Sequence, residues 1–101
     1  MAQRDGISKP RPVLLLRSMP PFGDFLACGI SSRLYQEVPG FDEILQEEDG
    51  DFVTSGLLQP SLVRLGWLST IPWSLMKGSV GFISSQRLEL LLQHLANYVI
   101  E

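Results

Sequence analysis

Two prolines bracket a single arginine in KPRPVLLLRS, residues 9–18. Proline fixes its own φ and biases the preceding residue towards extended geometry. Arg11 is therefore restrained on both sides at the mouth of the apolar run Val13–Leu16, with Lys9 in the same basic turn. A guanidinium held in this way is a preorganised cation for an anionic group, because its planar fork matches phosphate and carboxylate. The plainer reading is a solvated arginine in a loop entering a strand. A second group is GISSRL, where Ser31, Ser32 and Arg33 end a strand candidate. Serine at a strand end is usually a turn former. Beside Arg11, however, a hydroxyl and a guanidinium can clamp a phosphate and stabilise charge developing on it. An RNA phosphodiester brings its own nucleophile, the 2′-OH, so its cleavage needs only charge stabilisation and a proton relay.

Other chemistries have little to draw on. Cys28 is the only cysteine, which excludes an intrachain disulfide framework and a multi-cysteine metal site. It reads as a small core residue in FLACGI. His94 is the only histidine and is expected on the polar side of a distant helix. There is no glycine-rich phosphate loop and no G-x-S-x-G elbow. The acidic stretch 42–51 lacks the D-x-D-x-D-G spacing of a calcium loop and reads as a solvated loop, placed away from Arg11. No metal and no cofactor is expected.

Several elements must position these residues. Val13–Arg17 is a strand candidate, read as fully buried because it does not alternate. SMPPFGD, residues 18–24, carries turn chemistry. Phe25–Ser31 is a second strand, whose Ala27, Cys28 and Gly29 suggest close packing or a bulge. FDEILQ, residues 41–46, is either a short helix or an edge strand. Phe52–Leu58 and Ser61–Ile71 form a third apolar region, with Gly66 marking a bulge or bend. SVGFIS, residues 79–84, reads as a last short strand. Leu88, Leu91, Leu92, Leu95, Ala96 and Val99 form one apolar stripe, predicting a helix over residues 86–100 capped by Ser84 or Ser85. The sum is an α+β domain, a small, strongly twisted, barrel-like antiparallel sheet with a C-terminal amphipathic helix. Short strands leave open edges, which a homodimer would cover.

The chain has 101 residues, 45% of them hydrophobic and 19% charged, ordinary for one globular domain spanning 1–101 with an irregular start at 1–8. No apolar run approaches the ~20 residues of a membrane span, and MAQRDGISKPRP has no apolar signal core. A cytoplasmic location is expected. The net charge of −3 argues against a general nucleic-acid binder. Yet six of the eleven acids fall within 42–51, leaving five against eight bases elsewhere. Five of those bases lie in the first third, so a one-sided basic face is compatible with the acidic balance.

RPVLLL, the strand ending in GISS, SGLLQPSLVRLGWLSTIP and GSVGFISSQRLELLLQHLANYV, in that order, resemble the PemK/MazF-like toxins, the endoribonucleases of toxin–antitoxin pairs. The resemblance covers roughly residues 9–100. It implies an SH3-like barrel with a C-terminal helix, usually a homodimer, that cuts single-stranded mRNA sequence-selectively without metal. The products would be 2′,3′-cyclic phosphate and 5′-OH ends, and an antitoxin would hold the activity in check. On this resemblance Arg11 is the catalytic cation and Ser31 orients the 2′-OH or phosphate. Lys9, Ser32, Arg33, Trp67 and Ser69 become substrate-binding candidates. Three departures accompany it. The first strand looks shortened, the arginine turn lacks the usual glutamate, and Trp67 and Ser69 stand where relatives carry Gln and then Arg or Lys. Trp67 either stacks a base or packs in a core or dimer interface. The departures support an alternative, a catalytically impaired SH3-like module, a truncated relic that binds an antitoxin peptide.

Overall fold

The computed structural model describes residues 12–76 and 78–101. Four strands form one antiparallel sheet: β1 (Val13–Met19), β2 (Asp24–Ser31), β3 (Glu43–Leu45) and β4 (Ser61–Ile71), in the order β1-β2-β4-β3. Two helices complete the fold, the single turn α1 (Phe52–Ser55) and the long α2 (Ser85–Val99). The class is α+β: a strongly curled antiparallel half-barrel with a C-terminal helix of about 15 residues.

The apolar pattern explains how α2 is held. Its stripe brings Leu91 to full burial against Leu16, Cys28, Val63 and Leu65, with Leu88, Leu92 and Leu95 packed around them. Full burial of Leu91 contributes about 1.5–3 kcal/mol, and the partly buried leucines less each. Ser84 caps the helix by accepting the Arg87 N–H at 3.1 Å, one of the orphan donors of the first turn. His94 is half-buried rather than a surface group: its Nδ1 lies 3.0 Å from the Phe41 carbonyl, which can only accept, so Nδ1 carries the proton.

β4 carries the main irregularity of the sheet. Against β2 the register runs Gly29↔Arg64 and then Cys28↔Leu68, so Leu65, Gly66 and Trp67 have no partners in that ladder. This is the bulge expected at Gly66 and near Gly29. An unladdered N–H must find another acceptor. Buried Asp42 supplies it: Oδ1 accepts the Leu65 N–H at 3.0 Å while Oδ2 accepts the Val38 N–H at 2.9 Å. One carboxylate thus ties the 38–42 turn to the bulge.

Three expectations are corrected and one open alternative is resolved. β1 is not fully buried; only Leu16 is, because among the described residues β1 is an edge strand with one neighbour. FDEILQ resolves to an edge strand, β3. Phe52–Leu58 begins with α1, which ends at Gly56 with φ 75°, where a Cβ would meet the Val80 carbonyl. Among the described residues SVGFIS pairs in no ladder; the Phe82 N–H donates to the Thr54 carbonyl at 2.8 Å, Gly81 lies hard against the Thr54–Ser55 backbone, and Val80 and Phe82 stay exposed. The backbone approach at Gly81 fixes the segment against α1 instead of a strand. Residues 1–8 lie outside the described residues. Among the described residues no helix is long and apolar enough to cross a membrane.

Candidate functional site

β2 ends in Ser31, and its alternation sorts the site residues. Cys28 points into the core, so Ala27, Gly29 and Ser31 project from the opposite face. In the ladder Gly29 faces Arg64 and Ala27 faces Ser69, which places Arg64 and Ser69 on that face too. Trp67 joins them. A Cβ on Gly29 would stand only 2.5 Å from Trp67 Cε3, so the indole rests directly on the bare glycine backbone. The Arg64 guanidinium lies 4.1 Å from the indole centroid, a cation–π stack.

Arg64 and Trp67 are three residues apart, a spacing that puts side chains on opposite faces of a regular strand. The bulge shifts the alternation and brings them together. The stack is braced from the turn after β2, where Arg64 Nη1 donates to Gln36 Oε1 at 3.3 Å. Trp67 remains 47% exposed. It packs on the sheet yet is open to solvent, between the two readings of the sequence.

Ser31 is half-buried, and its Oγ accepts the Arg33 backbone N–H at 3.0 Å. With one lone pair occupied by that bond, the hydroxyl hydrogen is left to donate elsewhere. Ser32 and Arg33 are exposed at the entry to a 3-10 turn, Leu34–Gln36. The structure thus brings Ser31, Trp67 and Ser69 to one face, with Ser32 and Arg33 at its rim. Lys9 and Arg11 lie outside the described residues. Arg64 escaped the sequence reading because only the bulge makes it a neighbour of Trp67; the nearby signal was Gly66.

The acidic run is a solvated loop only in part, with Glu47 and Glu48 exposed. Glu43 and Asp51 are withdrawn from solvent, and both hold Arg87 of α2. Arg87 Nη1 lies 2.8 Å from Glu43 Oε1, Nη2 3.3 Å from Asp49 Oδ2, and Nε 2.9 Å from Asp51 Oδ2. Asp51 Oδ2 also accepts the Ser84 N–H at 3.0 Å. Burial alone would raise the Asp51 pKa; the bonds from Arg87 and Ser84, with the charge of Arg87, outweigh it and hold the carboxyl below its usual range. Burial likewise works against the charge of Arg87, and the three carboxylates more than offset it. A cleft of about 410 Å³ opens beside this cluster, lined by Asp49, Asp51, Thr54, Phe82, Gln86 and Arg87 among others. Of the sequence-predicted site residues that are described, Ser31, Ser32, Arg33, Trp67 and Ser69, none lines it.

Burial pushes the Cys28 thiol up to about 12, with the charge of Asp42 adding to it, so the thiolate is scarcely populated at neutral pH. Among the described residues no group of three or more His, Cys, Asp and Glu is placed to hold a metal ion. No protein-family model matches the chain, and no curated protein matches it in sequence.

Proposed function

We propose that this chain is an SH3-like, metal-independent endoribonuclease of the PemK/MazF-like toxin type, acting on single-stranded RNA. The observation that carries the reading is the setting of Ser31. It ends β2 on the same face as Arg64, Trp67 and Ser69, and its hydroxyl is oriented by the Arg33 N–H.

In this reading the 2′-OH attacks phosphorus, the P–O5′ bond breaks, and the 2′ proton is relayed through water to the leaving O5′, leaving a cyclic phosphate and a 5′-OH. Ser31 donates its hydroxyl hydrogen to a phosphate oxygen, and Arg11 neutralises the charge that grows there. Lys9, Ser32 and Arg33 hold neighbouring phosphates. Two copies would pair through the open sheet edges, and an antitoxin would cover the active face.

The test is cleavage of single-stranded RNA without divalent metal by wild type, Arg11→Ala and Ser31→Ala, with end-group analysis. Wild type should leave cyclic-phosphate ends. Each substitution should slow the reaction by roughly 10²–10³-fold, the usual effect of losing one donor to a developing charge. Intact RNA after incubation with folded wild type would overturn the reading.

A second reading is favoured by one feature of the sheet. Among the described residues β1 is an edge in the strand order, with only Leu16 of its side chains buried. Strand addition at such an edge would hold an extended antitoxin peptide with no catalysis at all.

A further inference from the structure

We propose that the stacked Arg64–Trp67 pair is a nucleobase-binding platform, which takes one unpaired base of single-stranded RNA beside the phosphate held at Ser31. The choice of RNA as ligand rests on the reading above; the platform itself rests on geometry. Three features prepare the pair before any ligand arrives. Gly29 leaves the sheet bare where the indole lies, since a Cβ there would come within 2.5 Å of the ring. The bulge at Leu65–Trp67 turns the indole onto the face of Arg64. Gln36 holds the guanidinium from the side, at 3.3 Å.

The charge of Arg64 also remains available. Among the described residues the ion pairs are those of Arg87 with Glu43, Asp49 and Asp51, on the helix side of the sheet. Among the described residues the partners of Arg64 are an aromatic ring and a neutral amide. A planar cation stacked on a half-exposed indole offers a flat surface with a positive charge, which suits a base and its adjoining phosphate. Position agrees as well. Trp67 lies over Gly29, and Gly29 precedes Ser31 by two residues, about 6.5 Å along a strand. One nucleotide spans that distance, so the stacked base neighbours the phosphate at Ser31. The pair would thus set affinity and the position of the cut, while Ser31 and Arg11 perform it.

The experiment uses the full chain carrying Trp73→Phe, which leaves Trp67 as the only tryptophan. The probe is a 2′-O-methyl RNA oligomer, which lacks the nucleophile and stays intact during a titration of Trp67 fluorescence. A matched oligomer with abasic positions serves as control. Saturable quenching is expected, with the abasic oligomer binding roughly tenfold or more weakly. Trp67→Ala, followed by a labelled oligomer, should weaken binding roughly ten- to a hundred-fold, and Trp67→Phe should restore part of it. Arg64→Lys keeps the charge and loses the planar stack, and should also weaken binding.

Equal affinity for the abasic oligomer, or a folded Trp67→Ala protein that binds as wild type does, would overturn the platform. The two proposals fail separately. Unmodified RNA cut by a protein whose Trp67→Ala variant binds normally would sink the platform and keep the ribonuclease. Base-dependent quenching without any cleavage of unmodified RNA would do the reverse.

Discussion

Arg87 and Arg64 stand on opposite faces of the sheet and are held in opposite ways. Arg87 reaches from α2 into three carboxylates, with 13% of its side chain exposed. Arg64 rises from the other face onto an indole and one neutral amide. An ion cluster withdrawn from water fixes structure, because removing one partner strands the others. A guanidinium on an open aromatic face fixes little, and its charge stays available to a ligand. An acidic overall balance therefore does not itself place negative charge beside Arg64, since Glu43, Asp49 and Asp51 gather on the helix side around a cation of their own.

The sharpest way to break that contrast is to remove each guanidinium in turn. Arg87→Met leaves Glu43, Asp49 and Asp51 facing one another and should lower unfolding free energy by about 3–5 kcal/mol. Arg64→Met should change it by about 1 kcal/mol or less, the scale of a cation–π pair at a solvent-exposed site. Urea denaturation of both variants measures the difference. Equal losses would mean that Arg64 is as structural as Arg87.

A smaller effect follows from pH. The folded-state pKa of Asp51 lies below its unfolded value, so its charge stabilises the fold above the ordinary aspartate pKa of about 3.9. That contribution is lost as pH falls through the lower, folded value. Urea midpoints should therefore drop below about pH 4 in wild type. In Asp51→Asn, already weakened at neutral pH, the drop should be shallower. An unchanged acid slope in the variant would take Asp51 out of the cluster's energetics.

The same two regions show what was legible in the sequence. The helix was, because its apolar stripe repeats within one segment and Ser84 stands in capping position. The strands ending at Ser31 and Ile71 were legible from their bounding turns, and Gly66 announced the bulge. The acidic run was not: its carboxylates and Arg87 are separated by at least 36 residues, and nothing local says that they meet. SVGFIS has strand composition, but the close approach of Gly81 to α1 depends on tertiary packing. Ser31, Ser32 and Arg33 were singled out by type and Trp67 and Ser69 by the resemblance, and that Ser31, Trp67 and Ser69 share a face needed the register. Arg64 was invisible because regular alternation assigns it to the side away from Trp67.

Gly29 tests whether that face is built as described. Its neighbours in the ladder leave no slack: Val13 pairs with it on one side and Arg64 on the other. In Gly29→Ala the new methyl falls 2.5 Å from Trp67 Cε3 and 3.2 Å from Trp67 Cβ, so the indole must lift from the sheet or swing towards solvent. Overpacking of this kind costs about 1–3 kcal/mol, less where a half-exposed ring can move aside. The loss should therefore sit at the low end of that range. The clearer signal is optical: in a Trp73→Phe background, the emission of Trp67 should shift to the red as the ring leaves the backbone. The Arg64 stack would open with it, and affinity for the 2′-O-methyl oligomer should fall in the same direction as in Trp67→Ala. A red shift with unchanged oligomer affinity would separate the stack from the ligand. An unshifted spectrum would mean that the ring does not rest on Gly29, and the contrast between the two arginines would lose its geometric basis.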